Sequence, residues 1–249
     1  MKNSNYLLFN SIAELMNDLD NAPVISGRED ESEKRSDSDW CDTSSYEEAH
    51  ENMIAGKIYD NLSTDLNKYK TKGCKEKNNS YLDVVGFAPV VPLALQNVPL
   101  CMVNKKKTIN NKIVSIVYNA ATPYYVESDT IMETTTELMK NIIQLERDGY
   151  RVNLYVCEYN DNGSGFGYVL KLKNDRETLN IKKLCFPLVS SSFLRRIGFR
   201  IKERLYKDWV GGGYGCASFC EEGIKRLINN TVRLGHYECW NYEGKKFSV

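Results

Sequence analysis

Apolar and polar positions in this chain repeat with two different periods, and the changes of period mark its elements. Ile113–Tyr118 (IVSIVY) is a nearly unbroken apolar run, the pattern of a strand covered on both faces. From Ser128 or Asp129 to Asp148, Ile131, Leu138, Ile142 and Leu145 recur at helical spacing, and Gly149 supplies a stop. Val152–Cys157 (VNLYVC) repeats the strand pattern. Strand, crossover helix and strand in about 45 residues predict a βαβ unit with parallel strands. The turn cluster at 160–167 leads to a strand over Tyr168–Lys173, expected at the sheet edge and antiparallel because its connection is short. Helices are expected over 191–207 and 217–229, with a last strand over Thr231–Tyr237.

Upstream the pattern is helical and interrupted. Ser11-Ile12-Ala13-Glu14 is a capping box opening a short helix with Ile12, Leu15, Met16 and Leu19 on one face. Ser45-Tyr46-Glu47-Glu48, shortly after Trp40, is a second, and its helix should stop near Gly56. A third helix is expected over 59–70. Residues 21–39 are polar and charged and read as a mobile linker. The chain thus divides into an N-terminal helical arm over 1–75 and an α/β core over 76–249. Asp83–Met102 is apolar but broken by Pro89, Pro92 and Pro99, which argue against a regular helix or central strand. It reads as an irregular layer over the core or as a strip on which a partner docks.

Charge adds an asymmetry that the pattern hides. The formal net charge is zero, yet residues 1–60 hold 14 acidic and 5 basic side chains, a net of −9. The remainder holds 28 basic and 19 acidic, a net of +9. The basic excess is densest from Lys182 to Lys207, with eight basic residues and one acid, Glu203. On a helical wheel Leu194, Ile197, Ile201 and Leu205 form a buried stripe, while Arg196, Arg200, Arg204 and Lys207 share a flank. That flank reads as a solvated face, as a dock for the acidic arm, or as a site for a protein partner or nucleic-acid phosphate.

Other chemistry is sparse. Only His50 and His236 are available to a Ser-His or Cys-His device. There is no G-x-S-x-G elbow or P-loop, and no cofactor is expected. Cys216, Cys220, His236 and Cys239 form a formal Cys₃His zinc set, although Cys216 and Cys220 stand one helical turn apart. The eight cysteines lack a dense framework and read as free thiols of a reducing cytoplasm. No 18-residue apolar run or secretory leader is evident, so no membrane span is expected.

From Lys112 onward the order of elements resembles a von Willebrand A-type domain, which implies a mostly parallel sheet with flanking helices. In that fold the first strand ends in a metal-binding D-x-S-x-S loop. The matching loop here reads Asn119-Ala120-Ala121-Thr122-Pro123, with Asn for Asp and with Ala121 and Pro123 at the serine positions. At Gly212-Gly213-Tyr214-Gly215, Tyr214 stands where the family has Thr. The resemblance therefore implies a degenerate loop and no tight metal. Asp39-Trp40-Cys41-Asp42-Thr43 with Glu47-Glu48-Ala49, Val85-Gly86, Val98–Met102 and Leu145–Val152 are similar to a group of bacteriophage-associated proteins of unknown function. That likeness implies a phage origin and a host-cytoplasmic setting. The resulting expectation is a non-catalytic binding or scaffold protein contacting a protein partner. A nucleic-acid binder using the basic flank is the alternative, and a metal-dependent enzyme is third.

Overall fold

A computed structural model describes residues 5–25, 30–34, 38–59, 79–106, 112–160, 165–206, 214 and 220–249. The expected helix over 59–70, Lys207, Cys216 and most of the Gly212–Gly215 loop lie outside the described residues.

The chain opens with a strand, β1 (Tyr6–Phe9), and a helix, α1 (Ile12–Asn21). The first capping box forms as expected: Ser11 Oγ accepts from the Glu14 N–H at 3.0 Å and the Glu14 carboxylate accepts from the Asn10 N–H at 2.6 Å. Two single turns follow, α2 (Glu31–Lys34) and α3 (Ser38–Cys41), then α4 (Tyr46–Ala55), capped by Ser45 and ended at Gly56. Residues 79–106 carry β2 (Asn79–Asp83), β3 (Ala88–Pro89), the short helix α5 (Val91–Leu95) and β4 (Met102–Lys106). Pro92 lies in the first turn of α5, where its missing N–H costs nothing. The proline-broken strip is therefore a small antiparallel sheet, ordered β2-β4-β3, rather than an irregular layer.

The main sheet is built from β5 (Ile113–Asn119), β6 (Arg151–Asn160), β7 (Phe166–Lys173), β8 (Glu238–Trp240) and β9 (Lys246–Ser248), together with β1. Its order is β1-β7-β6-β5-β8-β9. β5 and β6 run parallel, with Ile113 opposite Arg151 and Asn119 opposite Cys157, and α6 (Ser128–Arg147) joins them. The βαβ expectation holds, including the stop at Gly149, whose φ of 87° is open to glycine. β7 is antiparallel to β6 as expected but is not the edge, because β1 pairs beside it in parallel. The strand expected over Thr231–Tyr237 does not form: α9 (Glu221–Thr231) ends there, a turn follows, and β8 begins only at Glu238.

Helices α1, α4, α6, α7 (Ile181–Val189) and α8 (Phe199–Leu205) cover one face of the sheet. Leu15, Met139, Ile142, Val152, Leu154 and Phe186 are central to that layer. α9 covers the other face, with Ile224, Leu227 and Ile228 against Val117, Cys157 and Val169. β1, α1 and α4, which the sequence reading assigned to an arm ahead of the core, thus share its sheet and its main apolar cluster. Neither apolar cluster includes a residue of the 79–106 sheet. Among the described residues no helix is long and apolar enough to cross a membrane.

Candidate functional site

Helix α7 contains Pro187 and ends at Ser190, whose extended backbone turns the chain. Ser190, Ser191 and Ser192 lead into a six-residue π-helical stretch, Phe193–Gly198, which runs on into α8. Wider helical turns of this kind are rare and cluster at functional positions. The expected apolar stripe is present, with Leu194, Ile197 and Ile201 buried. The basic flank, by contrast, is not solvated: Arg196 is fully buried, and Arg200 and Arg204 are 8% and 9% exposed. Residues 30–34 and 40–43 lie across it.

Arg195, Arg196, Arg200 and Arg204 each meet that segment. Arg195 stacks over the Trp40 ring at 4.3 Å and donates to the Trp40 and Val126 carbonyls. Arg196 donates to the carbonyls of Ser32 and Thr43, both at 2.9 Å. Arg200 pairs with Glu33, lies 3.7 Å from Asp30, and sits 4.1 Å over the Tyr46 ring. Burial opposes its charge, but the Glu33 carboxylate outweighs burial and holds Arg200 above the usual arginine range. Arg204 reaches Asp30 at 2.6 Å.

Hydroxyls and carboxylates complete the junction. Buried Glu203 accepts from the Ser32 N–H at 3.0 Å, from the Ser32 hydroxyl, and from the Tyr214 hydroxyl at 2.9 Å. Asp42 accepts from Tyr59 and Ser190, both at 2.6 Å, and Thr43 bonds Ser192 at 2.7 Å. Burial, then the Asp42 charge, push the Tyr59 phenol up. Ser128, expected as a helix cap, instead donates to the Trp40 carbonyl and bonds Ser191, leaving Glu127 to open α6 without a side-chain cap. Behind this layer Lys202 and Glu158 form an ion pair, both nearly inaccessible. Sequence reasoning found the arginines but missed Asp30, Ser32 and Glu33 as their partners. The signal was the −9 and +9 charge split, which named the arm without naming its residues.

The other candidates are placed apart. Asn119 is fully buried at the end of β5, with its Oδ1 accepting from the Ala121 N–H at 3.3 Å. The Thr122 hydroxyl turns back to the Ala120 carbonyl at 3.0 Å, Ala121 is buried, and the Pro123 carbonyl accepts from Arg195. The loop's hydrogen bonds are thus directed inward. Cys220 caps α9 by accepting from the Gly223 N–H, while Cys239 is buried on β8 and its thiol is pushed up by burial. His236 is exposed and bonds the Val249 carbonyl. The described members of the zinc set do not converge, and among the described residues no cluster of three or more His, Cys, Asp or Glu could hold a metal. His50 pairs with Asp20 at 2.9 Å between α4 and α1.

The 79–106 sheet presents the opposite chemistry. Val84, Val85, Phe87, Val91, Leu95 and Leu100 are all more than half exposed. The turn that displays Val84, Val85 and Phe87 is held to β4: the Phe87 N–H donates to the Val103 carbonyl at 3.0 Å and Asn104 donates to the Val85 carbonyl at 3.1 Å. Gly86 is required there, because a Cβ would run into the Val103 carbonyl.

These features define a mixed α/β protein with a mostly parallel six-stranded sheet, an internal charge-paired strap and a small second sheet with exposed apolar side chains. The sequence matches the domain of unknown function DUF7192 over residues 3–247, nearly its whole length, and the chain belongs to that family. No curated protein and no solved structure matches it.

Proposed function

We propose that this is a non-catalytic binding protein that engages a protein partner through the apolar face of residues 79–106. The observation that carries the reading is the concentration of exposed apolar side chains on a sheet that contributes nothing to either apolar cluster. A patch held in fixed geometry but uninvolved in its own core has the makeup of an interface. β2 lies at the edge of that sheet, so a partner strand can add main-chain hydrogen bonds there. Backbone complementarity of this kind favours a polypeptide over a lipid or a nucleic acid. The alternative of nucleic-acid binding by the basic flank requires the covering segment to leave first, since Arg196, Arg200 and Arg204 are covered. The resemblances to bacteriophage-associated proteins and to von Willebrand A domains belong to the same reading, as does a cytoplasmic setting. Their support is the quoted motifs and the β5–α6–β6 unit.

The test is affinity capture with the intact chain and with Val85→Asp combined with Leu95→Asp. A specific partner retained by the native protein and by a Tyr124→Ser control, but lost from the double variant, supports the reading. Equal retention by all three proteins overturns it.

A further inference from the structure

We infer that Arg200 and Arg204 form a phosphate-binding site that the strap residues Asp30 and Glu33 occupy as an internal competitor. This is independent of the apolar face and uses different residues. Three observations converge on it.

The first is incomplete saturation. Arg200 and Arg204 are nine-tenths buried, yet the Nη1 atom of each has no hydrogen-bond partner. Asp30 Oδ1 takes the Arg204 bond at 2.6 Å and lies 3.7 Å from Arg200 Nη1, within ion-pair range but beyond a hydrogen bond. One carboxylate oxygen is thus divided between two guanidinium groups. A phosphate offers three oxygens and a greater charge, and can engage both forks bidentately.

The second is the weakness of the strap's own attachment. α2 is the single turn Glu-Ser-Glu-Lys, with no apolar side chain. Asp30 and Glu33 hold it by charge, which a stronger anion can replace, while Ser32 keeps its bonds to Glu203 and Arg196. The third is access. An open groove of about 540 Å³ runs past Ala22 and Pro23 to Arg204. Asp18 shares its wall and opposes any anion, so the attraction for phosphate comes from the two arginines.

Deleting the N-terminal 60 residues would remove β1, α1 and α4 from the core, so the test uses substitution. Asp30→Asn with Glu33→Gln keeps the strap's shape and removes its charge. Tripolyphosphate binding, measured calorimetrically at low salt, is expected to be at least tenfold tighter in this variant than in the native chain. Adding Arg200→Gln and Arg204→Gln should abolish the gain. In the native protein, saturating tripolyphosphate should raise amide exchange across residues 30–34, a readout that needs no variant to fold. A parallel titration with a single-stranded oligonucleotide separates the sources of phosphate. Binding of the oligonucleotide alone assigns a nucleic-acid backbone, and binding of tripolyphosphate alone assigns a small polyphosphate. Either binding with the arginine dependence supports the site. No binding to either, or binding equal in all variants with unchanged strap exchange, overturns it.

Discussion

Glu203 accepts hydrogen bonds from both the backbone N–H and the hydroxyl of Ser32, a residue 171 positions earlier in the chain. A single buried carboxylate therefore fixes where the strap lies. Ser32→Ala removes the side-chain bond to a charged acceptor and is expected to cost about 1.5–3 kcal/mol of unfolding free energy. Urea denaturation measures it. A change within about 0.3 kcal/mol would show that the strap adds nothing to global stability.

The Lys202–Glu158 pair lies behind the strap with both side chains almost wholly inaccessible. Removing one charge strands the other, so Lys202→Met is expected to destabilise by about 3–5 kcal/mol. Adding Glu158→Gln should recover part of that loss. Additive single and double effects in the resulting cycle would contradict direct pairing.

Gly223 packs on Tyr159 so closely that a Cβ would run into the ring. Gly223→Ala is expected to cost about 1–3 kcal/mol despite alanine's better helix propensity. A rise in the thermal midpoint would mean that α9 does not sit against β6 as described.

Alkali should unfold the protein more readily than the ordinary pKa of its thiols and phenols suggests. Burial pushes the Cys185 thiol up from 9.0 to about 12, and burial raises the Tyr118, Tyr168 and Tyr206 phenols as well. The unfolded Cys185 thiol loses its proton first, so its contribution to stability is complete below pH 9 and falls as the pH climbs toward 12. Urea midpoints at about pH 8 and about pH 10.5 should show the drop. Equal midpoints would place these groups in contact with solvent.

The parts of the fold legible in the sequence are those whose signal is local. Ile113–Tyr118, the apolar repeat from Ile131 to Leu145 and Gly149 mark the βαβ unit because strand, helix and stop each carry a pattern of their own. β1 was hidden, since Tyr6–Phe9 is four residues long and its partner strand is β7. The basic helix misleads for a different reason. Arginine is usually exposed, and nothing between Leu194 and Leu205 announces that another part of the chain will cover Arg196. Asp30–Lys34 has no apolar residue, so hydrophobic patterning cannot find a strap held by charge. The site was half visible: the cations in the sequence, their anions only in space.

The pairing of β1 with β7 has a consequence during synthesis. Leu15, Met16 and Leu19 emerge from the ribosome with α1, long before the strand that their own β1 must join. Roughly 150 further residues must be translated first, which at about 5–20 residues per second takes on the order of ten seconds. Through that interval α1 has α4 to pack against but lacks the sheet that covers the rest of its apolar face.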